Sequence, residues 1–160
     1  MADAVIETFR QEFDRFHDLL LQQIDACPSE EVWLSKTGVI AYWQHLMHAF
    51  AIVELYALPP GSPPRQTAYS QDEVRFGKEP HRALSRDETK ALGASMKQLA
   101  REYLDSQSVT TLAEKNEGMS LSMGRDCTNI QALIGLIRHY NYHLGCLDSI
   151  LRLHGIPGVY

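Results

Sequence analysis

Residues 38–57 are apolar on nearly every side when they are drawn as a helix. Thr37 precedes them as an N-cap, and Pro59-Pro60-Gly61 follows as a stop signal. A helix without a polar face is stable only where other elements surround it, so this segment predicts a central helix buried among others. Its apolar side chains are Val39, Ile40, Tyr42, Trp43, Leu46, Phe50, Ile52, Val53 and Leu55.

Three more segments have helical periodicity. Residues 3–26 carry apolar side chains three and four positions apart, and Ser85–Glu88 has the capping-box pattern S-x-x-E before a third amphipathic stretch that fades near residue 105. Residues 129–154 place two apolar stripes side by side on one helix. The predicted fold class is therefore all-α, a four-helix bundle with a long crossover loop between helices two and three, in one domain over residues 1–160.

The segments between the predicted helices have weaker sequence patterns than the helices themselves. Residues 59–84 are rich in proline, glycine and charge, and such a loop either covers a pocket or crosses between helix ends in solvent. A short helix is expected within it at Ser70–Glu73. Residues 30–36 are expected to form a polar connector, and residues 109–123 to hold, at most, a short extended pair around Gly118.

Composition narrows the function classes. The net charge of -5 and the absence of a basic run argue against a nucleic-acid-binding protein. No run of about 18 apolar residues predicts a membrane span, and the N-terminus lacks the pattern of a secretory signal. The odd number of cysteines, Cys27, Cys127 and Cys146, fits a reducing cytoplasm, where they are expected to act as small buried side chains.

The histidines carry the strongest chemical signal. His139 and His143 lie one helical turn apart on a stripe that is otherwise apolar, and His45 and His48 interrupt the buried second helix. A buried histidine needs partners for both ring nitrogens, so either these rings are hydrogen-bonded core residues or they share a ligand. Two imidazoles at this spacing can hold one divalent ion if a third protein ligand joins them.

Other catalytic patterns are missing from the sequence. There is no HExxH, no ExxH on a predicted helix, no GxSxG and no glycine-rich phosphate loop. These absences argue against the corresponding metalloproteases, di-iron bundles, hydrolases and nucleotide-binding proteins.

Two stretches resemble the DinB/YfiT-like superfamily, bacterial four-helix bundles regarded as candidate metalloenzymes. Residues 43–50 read W-Q-H-L-M-H-A-F and residues 53–56 read V-E-L-Y, which is similar to the family's second helix. Residues 138–147 read R-H-Y-N-Y-H-L-G-C-L, similar to its fourth helix, where H-x-x-x-H precedes a glycine two positions on. The order of these stretches and the long loop after helix two also agree.

The resemblance implies a metal site with one histidine from helix two and two from helix four. Carried over, the ligands are His48, His139 and His143, with His45 as the alternative to His48. Cys146 stands where the family often has glutamine, and it would line the pocket or touch the metal. Glu54 is either a base behind the ligands or a solvated carboxylate.

A function class follows from that resemblance. Three imidazoles leave a fourth coordination position for water or substrate, with zinc as the first expectation and nickel or iron as alternatives. The implied activity is a metal-dependent transferase, isomerase or hydrolase acting on a small molecule, such as a low-molecular-weight thiol. The broad apolar faces of the first and fourth predicted helices are also compatible with a homodimer. A non-catalytic metal or ligand sensor, or a dimerisation module, is the alternative.

Overall fold

The chain is mainly helical, as predicted. The computed structural model describes the backbone of residues 2–160 and the side chains there except those of Ala2, Asp3 and Thr37. The elements are α1 (Ala2–Ala26), α2 (Glu30–Leu34), β1 (Lys36–Thr37), β2 (Ile40–Ala41), α3 (Tyr42–Ala51), α4 (Val53–Ala57), α5 (Gln71–Val74), α6 (Arg86–Asp105), α7 (Val109–Ala113), α8 (Glu117–Met123) and α9 (Asn129–Leu153).

The longest helices pack around a shared apolar core. α1 contacts α6 and α9, and α3 contacts the same two helices. Every side chain of α3 is buried except that of His48, which is half-buried. This burial confirms that the second predicted helix is central, because a helix with no polar face is most stable when all of its sides are removed from water.

The start of that helix was predicted wrongly. Residues 36–41 form a two-stranded antiparallel hairpin instead of a first helical turn, with Lys36 opposite Ala41. The turn needs the positive φ of 69° at Gly38, which glycine adopts without steric cost. α3 therefore begins at Tyr42, and the side chain of Thr37, predicted as its N-cap, lies outside the described part of the chain.

Two connections also differ from expectation. The predicted polar connector contains α2, which Ser29 caps and which buries Val32 and Trp33. The indole Nε1 of Trp33 donates to the Leu84 carbonyl at 2.8 Å, so this segment is part of the core. Residues 109–123 form α7 and α8, not an extended pair, because Ser108 and Asn116 accept backbone N–H groups as N-caps.

The long loop packs back onto the helices. The short helix expected at Ser70–Glu73 is present as α5, where Ser70 and Glu73 form a capping box, and α5 contacts α3. Gln66, Tyr69 and Val74 are buried, although most residues of the loop are exposed, so the loop is partly packed on the helices and partly solvated. The loop therefore covers one side of α3, the helix that carries His45 and His48.

Two further predictions concern the burial of the cysteines and the presence of membrane-spanning helices. Cys27 and Cys127 are buried as predicted, whereas Cys146 is only half-buried. Among the helices of residues 2–160, none combines the length and the apolar character needed to cross a membrane.

Candidate metal centre

Three imidazole rings converge where α3 and α9 cross. The Nε2 atoms of His48 and His139 are 2.9 Å apart, and those of His139 and His143 are 3.2 Å apart. One donor nitrogen from each of the three rings lies within 4.8 Å of the other two. The structure thus brings His48, His139 and His143 together, the three residues that the sequence pointed to.

The nitrogen spacing fits a small divalent ion. Four ligands placed tetrahedrally at about 2.0–2.1 Å from zinc stand about 3.3 Å from one another. The separations of 2.9 Å and 3.2 Å are close to that value, so small ring movements would let all three Nε2 atoms reach one ion. His48 and His139 are half-buried and His143 is buried, so the group is only partly shielded from solvent.

The long loop orients His48. The Nδ1 atom of His48 lies 2.6 Å from the carbonyl oxygen of Val74, at the end of α5. A carbonyl only accepts hydrogen bonds, so Nδ1 carries the proton and the Nε2 lone pair faces the other two rings. The Phe76 ring covers the same imidazole, with ring centroids 4.5 Å apart.

His45 lies behind His143. Their Nδ1 atoms are 3.0 Å apart, and His45 is outside the group of three converging donors. If His143 donates this hydrogen bond, its Nε2 lone pair also faces the centre, and His45 acts as the acceptor that fixes its ring. The geometry therefore gives the two helix-three histidines different positions, His48 in the group and His45 one hydrogen bond away.

His139 is held less firmly. Its Nδ1 atom is buried and has no hydrogen-bond partner among the described residues. A buried polar nitrogen without a partner costs free energy, on the order of 1–3 kcal/mol. This ring therefore has the weakest support of the three, and its orientation depends on what its Nε2 atom contacts.

The environment keeps all four rings neutral near pH 7. Burial, with a smaller contribution from His48, lowers the pKa of His139 and of His45 to about 4. Burial also lowers the pKa of His48, although the hydrogen bond to Val74 opposes this. The pKa of His143 is lowered further, by burial and then by the three neighbouring rings. Neutral imidazoles with free lone pairs are the form that binds a metal ion.

Two other residues singled out from the sequence have different roles. Glu54 is buried, not solvated, and its Oε1 atom accepts the backbone N–H groups of Arg65 and Gln66 at 2.6 Å and 2.8 Å. Cys146 is half-buried on α9, and its sulfur is not in the converging group of donor atoms. Glu54 thus anchors the long loop.

Two residues of the long loop that contact the site, Val74 and Phe76, were not predicted from the sequence. Val74 acts through its main-chain carbonyl, which every residue type has, so no sequence signal could have marked it. Phe76 is an aromatic residue in a polar stretch, and only its isolation there gave a hint.

No protein-family model matches the chain, and no curated protein matches it.

Proposed function

We propose that this protein binds one divalent metal ion through His48, His139 and His143 and uses it in a metal-dependent reaction, as a four-helix bundle of the DinB/YfiT-like type. The observation that carries the proposal is the convergence of three Nε2 atoms at 2.9 Å and 3.2 Å between two helices. Zinc is the first choice because three imidazoles suit it, with nickel or iron also compatible with this donor set.

The support for a reactive centre, as opposed to a closed structural one, is the number of ligands. Three protein ligands leave a coordination position open, whereas structural zinc sites have four. Two of the three rings are half-buried, so a small molecule can approach from solvent. When bound, such an ion supplies a Lewis acid that lowers the pKa of a thiol or water ligand.

The chain's own residues would prepare this chemistry. His48 is held by Val74 and His143 by His45, so both rings would need only small shifts when a metal ion binds. Phe76 covers one side of His48 and excludes water there. We propose a small thiol as the substrate and transfer of a group to or from its sulfur as the reaction class.

Metal analysis tests the first part of the proposal. Purified wild-type protein supplied with zinc is expected to retain one equivalent after gel filtration, and the variants His48→Ala, His139→Ala and His143→Ala much less. His154→Ala is the matched control, since His154 is exposed at the end of α9. Equal metal content in wild type and ligand variants would reject the metal site.

Substrate screening tests the second part. Metal-loaded protein is assayed with small thiols and an electrophilic acceptor, with the His139→Ala variant in parallel. Metal-dependent consumption of the thiol supports the transferase. Full metal occupancy with no turnover for any thiol would reject that reaction and favour a non-catalytic metal sensor.

A further inference from the structure

A cleft outside the histidine group lies beside α4. It has a volume of about 320 Å³ and is lined by residues of α4 and of the loop after it, by Gln71 and Arg75 at the two ends of α5, and by part of α8. Leu55, Leu58 and Leu121 supply apolar walls, while Glu54 and Arg75 supply charge of opposite sign. The cleft therefore combines an apolar surface with one carboxylate and one guanidinium group.

The Glu54 carboxylate is only half used by the protein. Its Oε1 atom accepts both loop N–H groups, whereas its Oε2 atom is buried and has no hydrogen-bond partner among the described residues. Only 6% of the residue's surface is exposed. A buried carboxylate oxygen without a donor is costly. Because Glu54 lines the cleft, a small shift of its side chain would bring this oxygen within reach of a cationic ligand there.

Arg75 is the complementary group. Its side chain is exposed, and no carboxylate among the described side chains lies in ion-pair distance of it, unlike several other arginines of this protein such as Arg10 and Arg82. Arg75 follows Val74, whose carbonyl oxygen contacts His48. The cleft is therefore directly next to the loop turn that holds the candidate metal ligand.

We propose that this cleft binds a small zwitterion with an apolar part, an α-amino acid or an α-amino-acid moiety of a larger molecule. The ammonium group donates to Glu54 Oε2, the carboxylate pairs with the Arg75 guanidinium, and the apolar part lies against the three leucines. This inference goes beyond the proposed function, because the residues that line the cleft include Arg75, next to Val74, but none of the three candidate metal ligands. Binding in the cleft therefore does not require a metal ion at the histidines.

Three probes that differ by one charge each test the cleft. Calorimetry with the metal-free full-length protein compares L-leucine, N-acetyl-L-leucine, which lacks the ammonium group, and L-leucinamide, which lacks the carboxylate. We expect L-leucine to bind and each derivative to bind at least ten-fold more weakly. The loss reflects an unpaired buried carboxylate oxygen in one case and an unused guanidinium in the other.

Matched variants assign the contacts. Glu54→Gln retains a side-chain oxygen for the two loop N–H groups but removes the charge, and it is expected to weaken L-leucine binding at least ten-fold. Arg75→Gln is expected to weaken L-leucine but not L-leucinamide. Lys78→Gln is the control, because Lys78 is an exposed cation three positions on that does not line the cleft. Circular dichroism and the melting temperature check that each variant is folded.

Two results would overturn the inference. Equal affinity for all three probes would mean that the cleft is only an apolar surface, and no binding at tens of millimolar would mean that it holds only water. The metal proposal fails separately, through the metal content of the histidine variants. L-leucine binding to a protein that retains no zinc would leave the cleft intact and remove only the metal centre.

Discussion

The different positions of His45 and His48 lead to a quantitative prediction. Both histidines lie on α3, three residues apart, and sequence reasoning left them as alternatives for the same ligand. In the structure His48 presents Nε2 to the converging group, whereas His45 contacts only the far nitrogen of His143. Alanine at each position should therefore weaken zinc binding to different extents.

The magnitudes follow from the two roles. Binding of structural zinc contributes about 10–16 kcal/mol over four ligands, so the loss of one ligand costs roughly 2.5–4 kcal/mol, or about 60- to 700-fold in affinity. Loss of a hydrogen-bond partner behind a ligand costs about 10- to 100-fold. We expect His48→Ala near the upper range and His45→Ala in the lower range, because the His143 ring remains in place but is no longer fixed.

A chromophoric chelator in competition with the protein measures both affinities, and cobalt substitution reports the ligand set. The visible spectrum of the cobalt-loaded His45→Ala variant should match that of wild type, while His48→Ala should change it. His154→Ala, at an exposed site, should change neither affinity nor spectrum. A larger loss for His45→Ala than for His48→Ala, together with an altered cobalt spectrum in the former, would refute the assignment of roles.

Three further predictions test the surroundings of the site. Burial lowers the pKa of His17 to about 4 from an ordinary 6.5, so between these pH values the unfolded state binds a proton that the folded state does not, and stability falls as the pH drops. Between pH 7 and pH 5 the free energy of unfolding of wild type should therefore decrease by about 2 kcal/mol more than that of His17→Phe. The control His154→Phe should follow wild type. Urea denaturation at both pH values measures this, and parallel slopes for His17→Phe and wild type would contradict it. Phe76 has a left-handed backbone conformation, with φ of 62°, which asparagine tolerates, so Phe76→Asn should keep the turn. Because the variant lacks the ring that covers His48, it should release zinc several-fold faster in stopped-flow chelation. An unchanged rate would show that the ring does not restrict the site. Asp148 is buried, and its carboxylate accepts hydrogen bonds from the backbone N–H groups of residues 159 and 160 at 2.7 Å and 3.0 Å. Asp148→Ala should therefore cost about 3 kcal/mol of stability and speed hydrogen exchange of both amides. Amides that remain protected in the variant would contradict this role.

The features that were predictable from the sequence depend on periodicity. The apolar stripe of α9 placed His139 and His143 on an inward face, and the fully apolar character of α3 made His48 the neighbour of that face. Both inferences need only the helical repeat and the cost of exposing apolar surface. The same reasoning failed at residues 38–41, where one glycine turned the chain, because a local backbone preference outweighed a weak helical pattern.

What could not be predicted depends on main-chain atoms and on tertiary contacts. The carbonyl of Val74 fixes the tautomer of His48, yet any residue at that position would present the same group. Glu54 could not be identified as an anchor, since its partners are backbone N–H groups eleven and twelve residues away in a loop without periodicity. Position 54 looked like a solvated helix carboxylate for this reason.

The anchoring role of Glu54 links the metal centre to the cleft. Its Oε1 atom holds the loop at Arg65 and Gln66, and the same loop continues into α5, where Val74 fixes His48 and Arg75 lines the cleft. A ligand that engages the free Oε2 atom therefore acts on the residue that positions the loop. Because binding coupling is reciprocal, occupation of the cleft and occupation of the histidine site should change each other's affinity by the same factor. Glu54→Gln should reduce that factor toward one, since it removes the ionic contact but keeps an oxygen for the loop, and an unchanged factor in this variant would place the coupling elsewhere.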